Sequence, residues 1–148
     1  MRPGERLPTD AGLVILPGSK STIADLAFFR SQGWDRDLEA HRRRGGMIIG
    51  ICGGLQMLGR SVRDPLGIEG GDTEAEGLGF LDIDTEMAPE KTVRNIKARS
   101  AVHDVALSGY EIHLGVSRGP DALRPMTLID GRPDGAVSAD GLVSGTYL

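Results

Sequence analysis

The sequence is short of the residues that build several common classes of protein. Among its 148 residues there is one cysteine, so no disulfide can form within the chain, and we expect a reducing, cytoplasmic location. No apolar run approaches the roughly 18 residues that a membrane-spanning helix needs. The first residues also lack the apolar core of a signal peptide. We therefore expect no membrane partner.

An excess of positive charge is also missing. Lysine and arginine number 17 against 21 aspartates and glutamates, which gives a formal net charge of −4 at pH 7. Nucleic acids and anionic lipid surfaces attract basic proteins, so neither is expected as a partner. The content of 39% hydrophobic and 26% charged residues is ordinary for a globular domain, and the length fits one domain with a core of its own.

One stretch in the first half of the chain organises the rest. The run Met47–Ile51 has the length and β-branched content of a buried parallel strand, and it ends at Cys52. Gly53 and Gly54 follow, and then an apolar segment that can continue as a helix. A strand, a sharp turn bearing a nucleophilic residue and a helix form a nucleophile elbow. In this arrangement the helix N-terminus favours the thiolate, and the Gly53 amide can face an oxyanion. The alternative is a buried, inert cysteine.

The chain before the elbow predicts a strand and two helices. Leu13–Leu16 is a short buried strand, and Ser21 or Thr22 can cap the helix that follows. Asp35 can cap a second helix over residues 36–44. With the strand Met47–Ile51, this is a βαβ unit, which implies parallel strands.

After the elbow the predicted elements become shorter and richer in strand. We predict a helix from Gly54 to about Val62 and a loop over residues 63–76, whose acidic side chains are expected to be solvated rather than metal ligands. Strand-like alternation recurs over residues 80–85, 92–98, 110–116, 136–138 and 142–147. Asp140 and Gly141 between the last two runs predict a hairpin, and therefore antiparallel pairing at one edge.

The elbow segment resembles the nucleophile motif of class I, or triad-type, glutamine amidotransferases. It is Gly50-Ile-Cys-Gly-Gly-Leu-Gln-Met-Leu-Gly59. Other motifs occur in the order found in the cobyric acid synthase family, which amidates cobyrinic acid a,c-diamide during cobalamin synthesis. They are Leu16-Pro-Gly-Ser-Lys20, Gly33-Trp-Asp35, Asp64-Pro-Leu-Gly-Ile-Glu-Gly70 and Gly109-Tyr-Glu-Ile-His-Leu-Gly115. The resemblance implies an α/β fold of three layers, flavodoxin-like or Rossmann-like, with a mostly parallel sheet and antiparallel edge strands.

The resemblance also implies roles for particular residues. Cys52 would attack the side-chain amide of glutamine, with the Gly53 amide and the loop holding Gly18 and Ser19 stabilising the oxyanion. Gln56 would help to hold the substrate, which we favour over the alternative that it is an ordinary residue on a helix surface. No metal ligand set is expected. The ammonia would pass to a synthetase domain and react there with activated corrinoid carboxylates.

The catalytic base is the part of the triad that the sequence does not supply. Of the three histidines, His41 lies in a basic helix end and is expected to be solvated, His103 lies in a loop, and His113 is expected to be structural or to line a pocket. In the family the catalytic histidine directly follows a Gly-Thr-Tyr-Leu segment, which here is Gly145 to Leu148. Residues 1–148 are therefore predicted to be a partial domain that lacks its first strand and the histidine segment. We expect little glutaminase activity from it alone.

The resemblance to the family implies that the cofactors bind to the synthetase domain, and two other functions stay open. No G-x-x-x-x-G-K-[ST] motif occurs, so ATP and Mg²⁺ are expected only in the synthetase domain. One alternative is the glutaminase subunit of a peptidoglycan-precursor ligase, lipid II isoglutaminyl synthase. The other is a catalytically inactive remnant that binds glutamine or another protein.

Overall fold

The computed structural model describes residues 1–89 and 92–148. Its helices are α1 (Thr22–Ser31), α2 (Trp34–Arg43) and α3 (Gly53–Leu58), with a 3₁₀ turn at Pro120–Leu123. Its strands are β1 (Leu13–Leu16), β2 (Met47–Ile51), β3 (Ser61–Arg63), β4 (Glu74–Glu76), β5 (Asp84–Glu86), β6 (Thr92–Ser100), β7 (Ala106–His113), β8 (Val116–Arg118), β9 (Thr127–Ile129), β10 (Arg132–Asp134), β11 (Ala136–Val137) and β12 (Val143–Thr146).

The sheet that carries the elbow has the strand order β1-β2-β12-β11. The first three strands are parallel, with Gly50 of β2 opposite Leu16 of β1 on one side and Gly145 of β12 on the other. β11 pairs antiparallel with β12 through the predicted hairpin at Asp140 and Gly141. The mostly parallel sheet of an α/β fold with an antiparallel edge strand is thus confirmed. The carboxyl ends of β1, β2 and β12 meet at one edge, where ligand sites form in such sheets.

All three helices pack on the same face of this sheet. Leu26 of α1, Leu38 of α2 and Leu55 of α3 are at most 1% exposed, and they share one core with residues of the sheet. The sheet residues in that core include Leu16, Ile48 and Val143. A large part of the apolar surface that the chain buries lies in this layer, and it fixes the position of the elbow helix.

The opposite face is open at β1 and β2. The side chains of Leu13, Ile15 and Met47 point to it because they alternate with the buried residues, and they are 41%, 57% and 51% exposed. β1 is also an edge strand, beside a groove of about 320 Å³. Phe28 and Phe29 both meet Trp34 edge to face in that groove.

Two further four-stranded sheets are formed within residues 61–134. One has the order β4-β3-β5-β8, in which β3 and β5 are parallel and the other pairs antiparallel. The other, β10-β9-β6-β7, is antiparallel throughout. The prediction that the second half of the chain is rich in strand is therefore confirmed. The strand predicted from residue 80, however, is β5, which begins at Asp84. The predicted strand over residues 110–116 is two strands, β7 and β8, with the turn at Gly115 (φ 107°) between them.

The predicted elbow helix to Val62 was too long. It ends at Leu58, because the chain then turns to pair with the segment before β5, and the Arg60 amide donates to the carbonyl of Ile83 over 2.8 Å. Val62 is fully buried, as a helix would bury it, but it lies in β3. Pairing between strands has overridden a spacing that favours a helix. Residues 74–76, predicted as loop, form β4.

The second helix also begins differently from the prediction. Gly33, with φ 73°, is the residue before α2, so Asp35 lies inside the first turn and does not cap it. At the other end of α2, His41 is 1% exposed and its Nε2 lies 2.9 Å from the carbonyl oxygen of Met47. The prediction that His41 is solvated was wrong, because the last turn of α2 packs inward on the start of β2.

Candidate active site

Cys52 occupies a sharp turn between β2 and α3. Its φ of 52° and ψ of −111° are strained for a residue with a side chain, and strained residues concentrate at functional sites. Two backbone hydrogen bonds hold it: the Cys52 amide donates to the carbonyl of Thr146 over 2.9 Å, and the Gln56 amide donates to the carbonyl of Cys52 over 3.2 Å. The predicted strand, turn and helix are therefore present, and the role of Cys52 as nucleophile stays a prediction.

The glycines after Cys52 allow the elbow to touch its neighbours. A Cβ on Gly54 would lie 2.1 Å from the carbonyl oxygen of Leu16, and one on Gly53 would lie 2.7 Å from the amide nitrogen of Ser19. Neither distance is possible for real atoms, so any larger residue would push the helix away from β1. The glycines therefore set how closely the elbow approaches the loop that follows β1.

That loop, residues 17–19, lies directly against the nucleophile candidate. A Cβ on Gly18 would be 3.5 Å from the Cβ of Cys52, which is ordinary contact. The Ser19 hydroxyl donates to Asp25 over 2.5 Å and accepts the Ser21 amide over 3.0 Å, so the loop is tied to the start of α1. The structure thus brings together Cys52, Gly53, Gly18 and Ser19, as the predicted site requires.

The electrostatic environment of the thiol differs from the expectation. Burial raises the pKa of Cys52, the charge of Glu69 raises it further, and a hydrogen bond with the Gly53 backbone opposes both. We expected the helix N-terminus to favour the thiolate. The helix has only six residues, and its effect does not outweigh the loss of water around the sulfur. In this state the thiol is the favoured form at neutral pH.

Glu69 reaches the site because a buried aspartate shapes its loop. The Asp64 side chain is fully buried and accepts the backbone amides of Ile68 and Glu69, each over 2.8 Å. This turn directs the Glu69 carboxylate to the Ile23 amide near the start of α1, over 3.3 Å. The prediction that the acidic side chains of this loop are all solvated was therefore wrong for Asp64. A lone acidic residue in a glycine-rich segment gives no sequence signal of burial.

Gln56 is a buried junction rather than a residue on a helix surface. It is 2% exposed. Its Oε1 accepts the Thr22 hydroxyl over 3.0 Å, and its Nε2 donates to the carbonyl of Leu114 over 3.0 Å and to the Tyr147 hydroxyl over 3.4 Å. Both ends of the amide are engaged by the protein. The contact between Gln56 and a substrate stays a prediction.

Tyr147 is a site residue that sequence reasoning missed. Its hydroxyl lies 2.7 Å from that of Ser117, which lies 2.7 Å from that of Thr85. Burial raises the pKa of the Tyr147 phenol, so it stays protonated and can donate. The residue belongs to the Gly-Thr-Tyr-Leu segment, which drew attention only because of the histidine expected after it.

None of the three histidines is identified as the base. His113 stacks on Tyr147 with ring centroids 4.0 Å apart. Its Nδ1 lies 3.0 Å from the carbonyl oxygen of Gly115 and its Nε2 lies 3.2 Å from the Glu111 carboxylate. It lines a cavity of about 280 Å³, which agrees with a structural or pocket-lining role. His103 is exposed in the turn between β6 and β7, and His41 is the buried residue described above.

In residues 1–89 and 92–148, no three histidine, cysteine, aspartate or glutamate side chains converge as a metal site. None of the helices in the same ranges is long and apolar enough to cross a membrane.

Two solved structures share this fold. A crystal structure described as a glutamine amidotransferase matches 92% of this chain and 69% of its own chain, with a TM-score of 0.62 and 16% identity. A chain of the PurLQS structure from Thermotoga maritima matches 96% of this chain and 69% of its own length, with a TM-score of 0.66 and 17% identity. At these identities the likeness shows the fold alone. The family profile of the CobB/CobQ-like glutamine amidotransferase domain matches residues 1–148, and the chain belongs to this family.

Close relatives are cobyric acid synthases of rhizobia. The whole chain is 73% identical to the enzyme of Rhizobium etli (strain CFN 42) and covers 31% of it. The corresponding values are 71% and 30% for Rhizobium johnstonii and 68% and 31% for Rhizobium meliloti (strain 1021). The chain thus spans about a third of the length of the curated relatives that it matches. The resemblance inferred from the motifs is confirmed.

Proposed function

We propose that the chain is the glutamine-hydrolysing part of a cobyric acid synthase, with Cys52 as its nucleophile. The observation that carries the proposal is the strained Cys52 at the elbow, in contact with the loop of residues 17–19. Membership of the amidotransferase family and the identity of about 70% to cobyric acid synthases support the assignment.

In the proposed reaction the sulfur of Cys52 attacks the side-chain carbonyl carbon of glutamine. The amides of Gly53 and of the loop with Gly18 and Ser19 stabilise the oxyanion that forms. The C–N bond then breaks, the leaving nitrogen takes a proton, and ammonia departs from a glutamyl thioester. Water hydrolyses the thioester and yields glutamate, so one glutamine and one water give one glutamate and one ammonia.

We infer that the base which moves these protons lies shortly after Leu148 in the longer protein. The hydrogen bond between the Cys52 amide and the Thr146 carbonyl supports this position, since it fixes the carboxyl end of β12 beside the elbow. A base removes the proton from a thiol whose pKa burial has raised.

The rest of the proposal concerns the longer protein. Its synthetase part would bind ATP, Mg²⁺ and the corrinoid, and would use the ammonia to amidate corrinoid side chains. The single cysteine and the ATP-dependent chemistry support a cytoplasmic location. The identity of 68–73% to cobyric acid synthases favours this function over that of a peptidoglycan-precursor ligase subunit.

The test uses a full-length synthase that contains this sequence, with either glutamine or ammonium chloride as the nitrogen source. We expect the wild-type enzyme to use both. Cys52→Ser should lower glutamine-dependent amidation by at least about 10³-fold, because the nucleophile and base act as a unit. It should leave the ammonium-dependent rate within about two-fold. Retained use of glutamine by the variant would overturn the proposal.

A further inference from the structure

Five hydroxyl or amide side chains form one hydrogen-bonded chain behind the elbow, which we call the polar chain: Thr22, Gln56, Tyr147, Ser117 and Thr85. Successive polar atoms lie 3.0, 3.4, 2.7 and 2.7 Å apart. Four of the members are at most 7% exposed, and Ser117 is half-buried. Burying a polar group costs free energy unless the group is hydrogen-bonded. The members of the polar chain are therefore held in one defined arrangement.

The direction of three of the hydrogen bonds follows from the amide of Gln56. Its Nε2 can only donate, so the Tyr147 oxygen accepts from it and the Tyr147 proton is left for Ser117. The Thr22 hydroxyl donates to Oε1 of Gln56, whereas either hydroxyl can donate in the hydrogen bond between Ser117 and Thr85. The Tyr147 hydroxyl is thus the one group that joins the Gln56 half of the polar chain to the Ser117 half.

The Gln56 half of the polar chain is attached to every segment around the thiol. Thr22 directly follows Ser21, whose amide donates to the hydroxyl of Ser19 in the loop against Cys52. The backbone amide of Gln56 donates to the carbonyl of Cys52. Tyr147 directly follows Thr146, whose carbonyl accepts the amide of Cys52.

The other half of the polar chain reaches the second sheet. Ser117 lies in β8 and Thr85 in β5, and these residues are opposite each other in the register. The ring of Tyr147 is held from the side by the stacked ring of His113, which Glu111 and the Gly115 carbonyl orient. The position of Tyr147 is therefore fixed by its backbone, its ring and its hydroxyl.

We propose that Tyr147 is a positioning residue, whose hydroxyl fixes the strained conformation of Cys52 by joining the elbow and its loop to the sheet of β5 and β8. A strained backbone persists only where its surroundings over-determine it, and the contacts of Gln56 and residues 146–147 are those surroundings. This inference rests on the proposed role of Cys52. It adds a residue to the site that does not touch the substrate.

The test is the pH–rate profile of alkylation by iodoacetamide, which reports on Cys52 alone because the chain has one cysteine. Tyr147→Phe removes only the hydroxyl. We expect the elbow to loosen and admit water, so that the midpoint of the profile moves down and the rate at pH 7.5 rises about five-fold. Glu69, the charged residue that raises the pKa of the thiol, is unchanged in the variant.

Tyr110→Phe is the matched control, because Tyr110 is the other tyrosine of the chain and is 65% exposed. Ile129→Val controls for a general loss of stability, because Ile129 is buried in a separate core cluster. Both controls should keep the wild-type profile. Ser117→Ala cuts the next link, so it should shift the midpoint in the same direction, and the double variant should shift it no further than Tyr147→Phe.

Two outcomes would overturn the inference: a Tyr147→Phe profile that matches the wild type, or an Ile129→Val profile that shifts equally. The proposed function is tested separately, by whether a glutamine-like diazoketone labels Cys52 of the wild-type chain and glutamine protects it. If the labelling fails and the Tyr147→Phe profile is shifted, the proposed glutaminase function is wrong and the positioning role of Tyr147 stands. If the labelling succeeds and the profile is unshifted, the proposed function stands and the positioning role is wrong.

Discussion

At the scale of single residues, the site combines a strained nucleophile candidate with a shielded thiol. Cys52 adopts a left-handed conformation, and burial and Glu69 together raise the pKa of its thiol. The elbow therefore presents the sulfur without activating it in this state. Activation requires a base that takes the proton from the thiol.

The shielded thiol gives a pH prediction. Because the pKa of Cys52 is raised, alkylation by iodoacetamide should accelerate with pH about a midpoint above that of a free cysteine peptide, and below that midpoint the rate should fall about ten-fold per pH unit. Glu69→Gln should move the midpoint down, since it removes a negative charge that disfavours the thiolate. Glu74→Gln, an exposed change in β4, is the control. A wild-type midpoint below that of the free peptide would contradict this account.

The close approach of Gly54 gives a prediction about stability. Gly54→Ala places a methyl group against the carbonyl of Leu16, and we expect a loss of about 2 kcal/mol after the gain in helix propensity. Gly12→Ala is the control, because a Cβ there meets nothing within 4 Å and its φ is not positive. It should change the free energy of unfolding by less than about 0.5 kcal/mol. Urea unfolding measures both, and equal effects would contradict the packing described for the elbow.

Burial and long-range partners were the hardest features of single residues to predict from the sequence. The elbow, the loop of residues 17–19 and the strand Met47–Ile51 were predictable because each has a distinctive local pattern. The burial of Asp64 and His41 was not predictable, because each depends on partners that folding brings together. Tyr147 was missed for the same reason, since Ser117 and Gln56 are distant from it in sequence.

At the scale of elements, one ion pair attaches the N-terminal segment to α2. The Asp37 carboxylate accepts Nε of Arg6 over 2.9 Å and the amide of Leu7 over 3.1 Å. The Arg6 hydrogen bond lowers the pKa of Asp37, although Arg6 itself is 80% exposed. The pair therefore anchors residues 6–7 to the first turn of the helix while water screens part of its charge.

Asp37→Asn should lower the free energy of unfolding by about 1 kcal/mol at pH 7. A lowered pKa in the folded state means that the contribution is present above the ordinary aspartate pKa and is lost as the pH falls through the lowered value. The melting temperatures of variant and wild type should therefore converge in acid. Glu39→Gln, an exposed change on the same helix, should have little effect at either pH. A difference that persists at pH 2 would show that the carboxylate charge is not responsible.

Element boundaries show how far local patterns reach. β1, β2, β6 and the hairpin of β11 and β12 were predicted nearly in place, because alternation and turn residues are local signals. The segment after Leu58 was predicted as helix and forms β3, because its partner β5 lies about 20 residues further along the chain. The sequence pattern contains the local signals of alternation and turns, but not the pairing of strands that are distant in sequence.

At the scale of the whole molecule, the open sheet face predicts self-association. Leu13, Ile15 and Met47 form an exposed apolar surface next to an unpaired strand edge, and such edges pair with other chains. Sedimentation velocity of residues 1–148 should show a weight-average mass that rises with concentration. Ile15→Glu should shift the chain towards monomer, whereas Val102→Glu, at a site of similar exposure in a distant turn, should not. A wild-type chain that is monomeric at all concentrations would contradict this prediction.

The measurement that tests the central claim most directly is active-site labelling of the 148-residue chain. A diazoketone analogue of glutamine is incubated with the chain, and the modified residue is located by mass spectrometry with and without excess glutamine. We expect slow incorporation of one equivalent at Cys52, protection by glutamine and no incorporation in Cys52→Ser. Labelling that glutamine does not slow, or that occurs equally in the variant, would show that the elbow does not form a glutamine site.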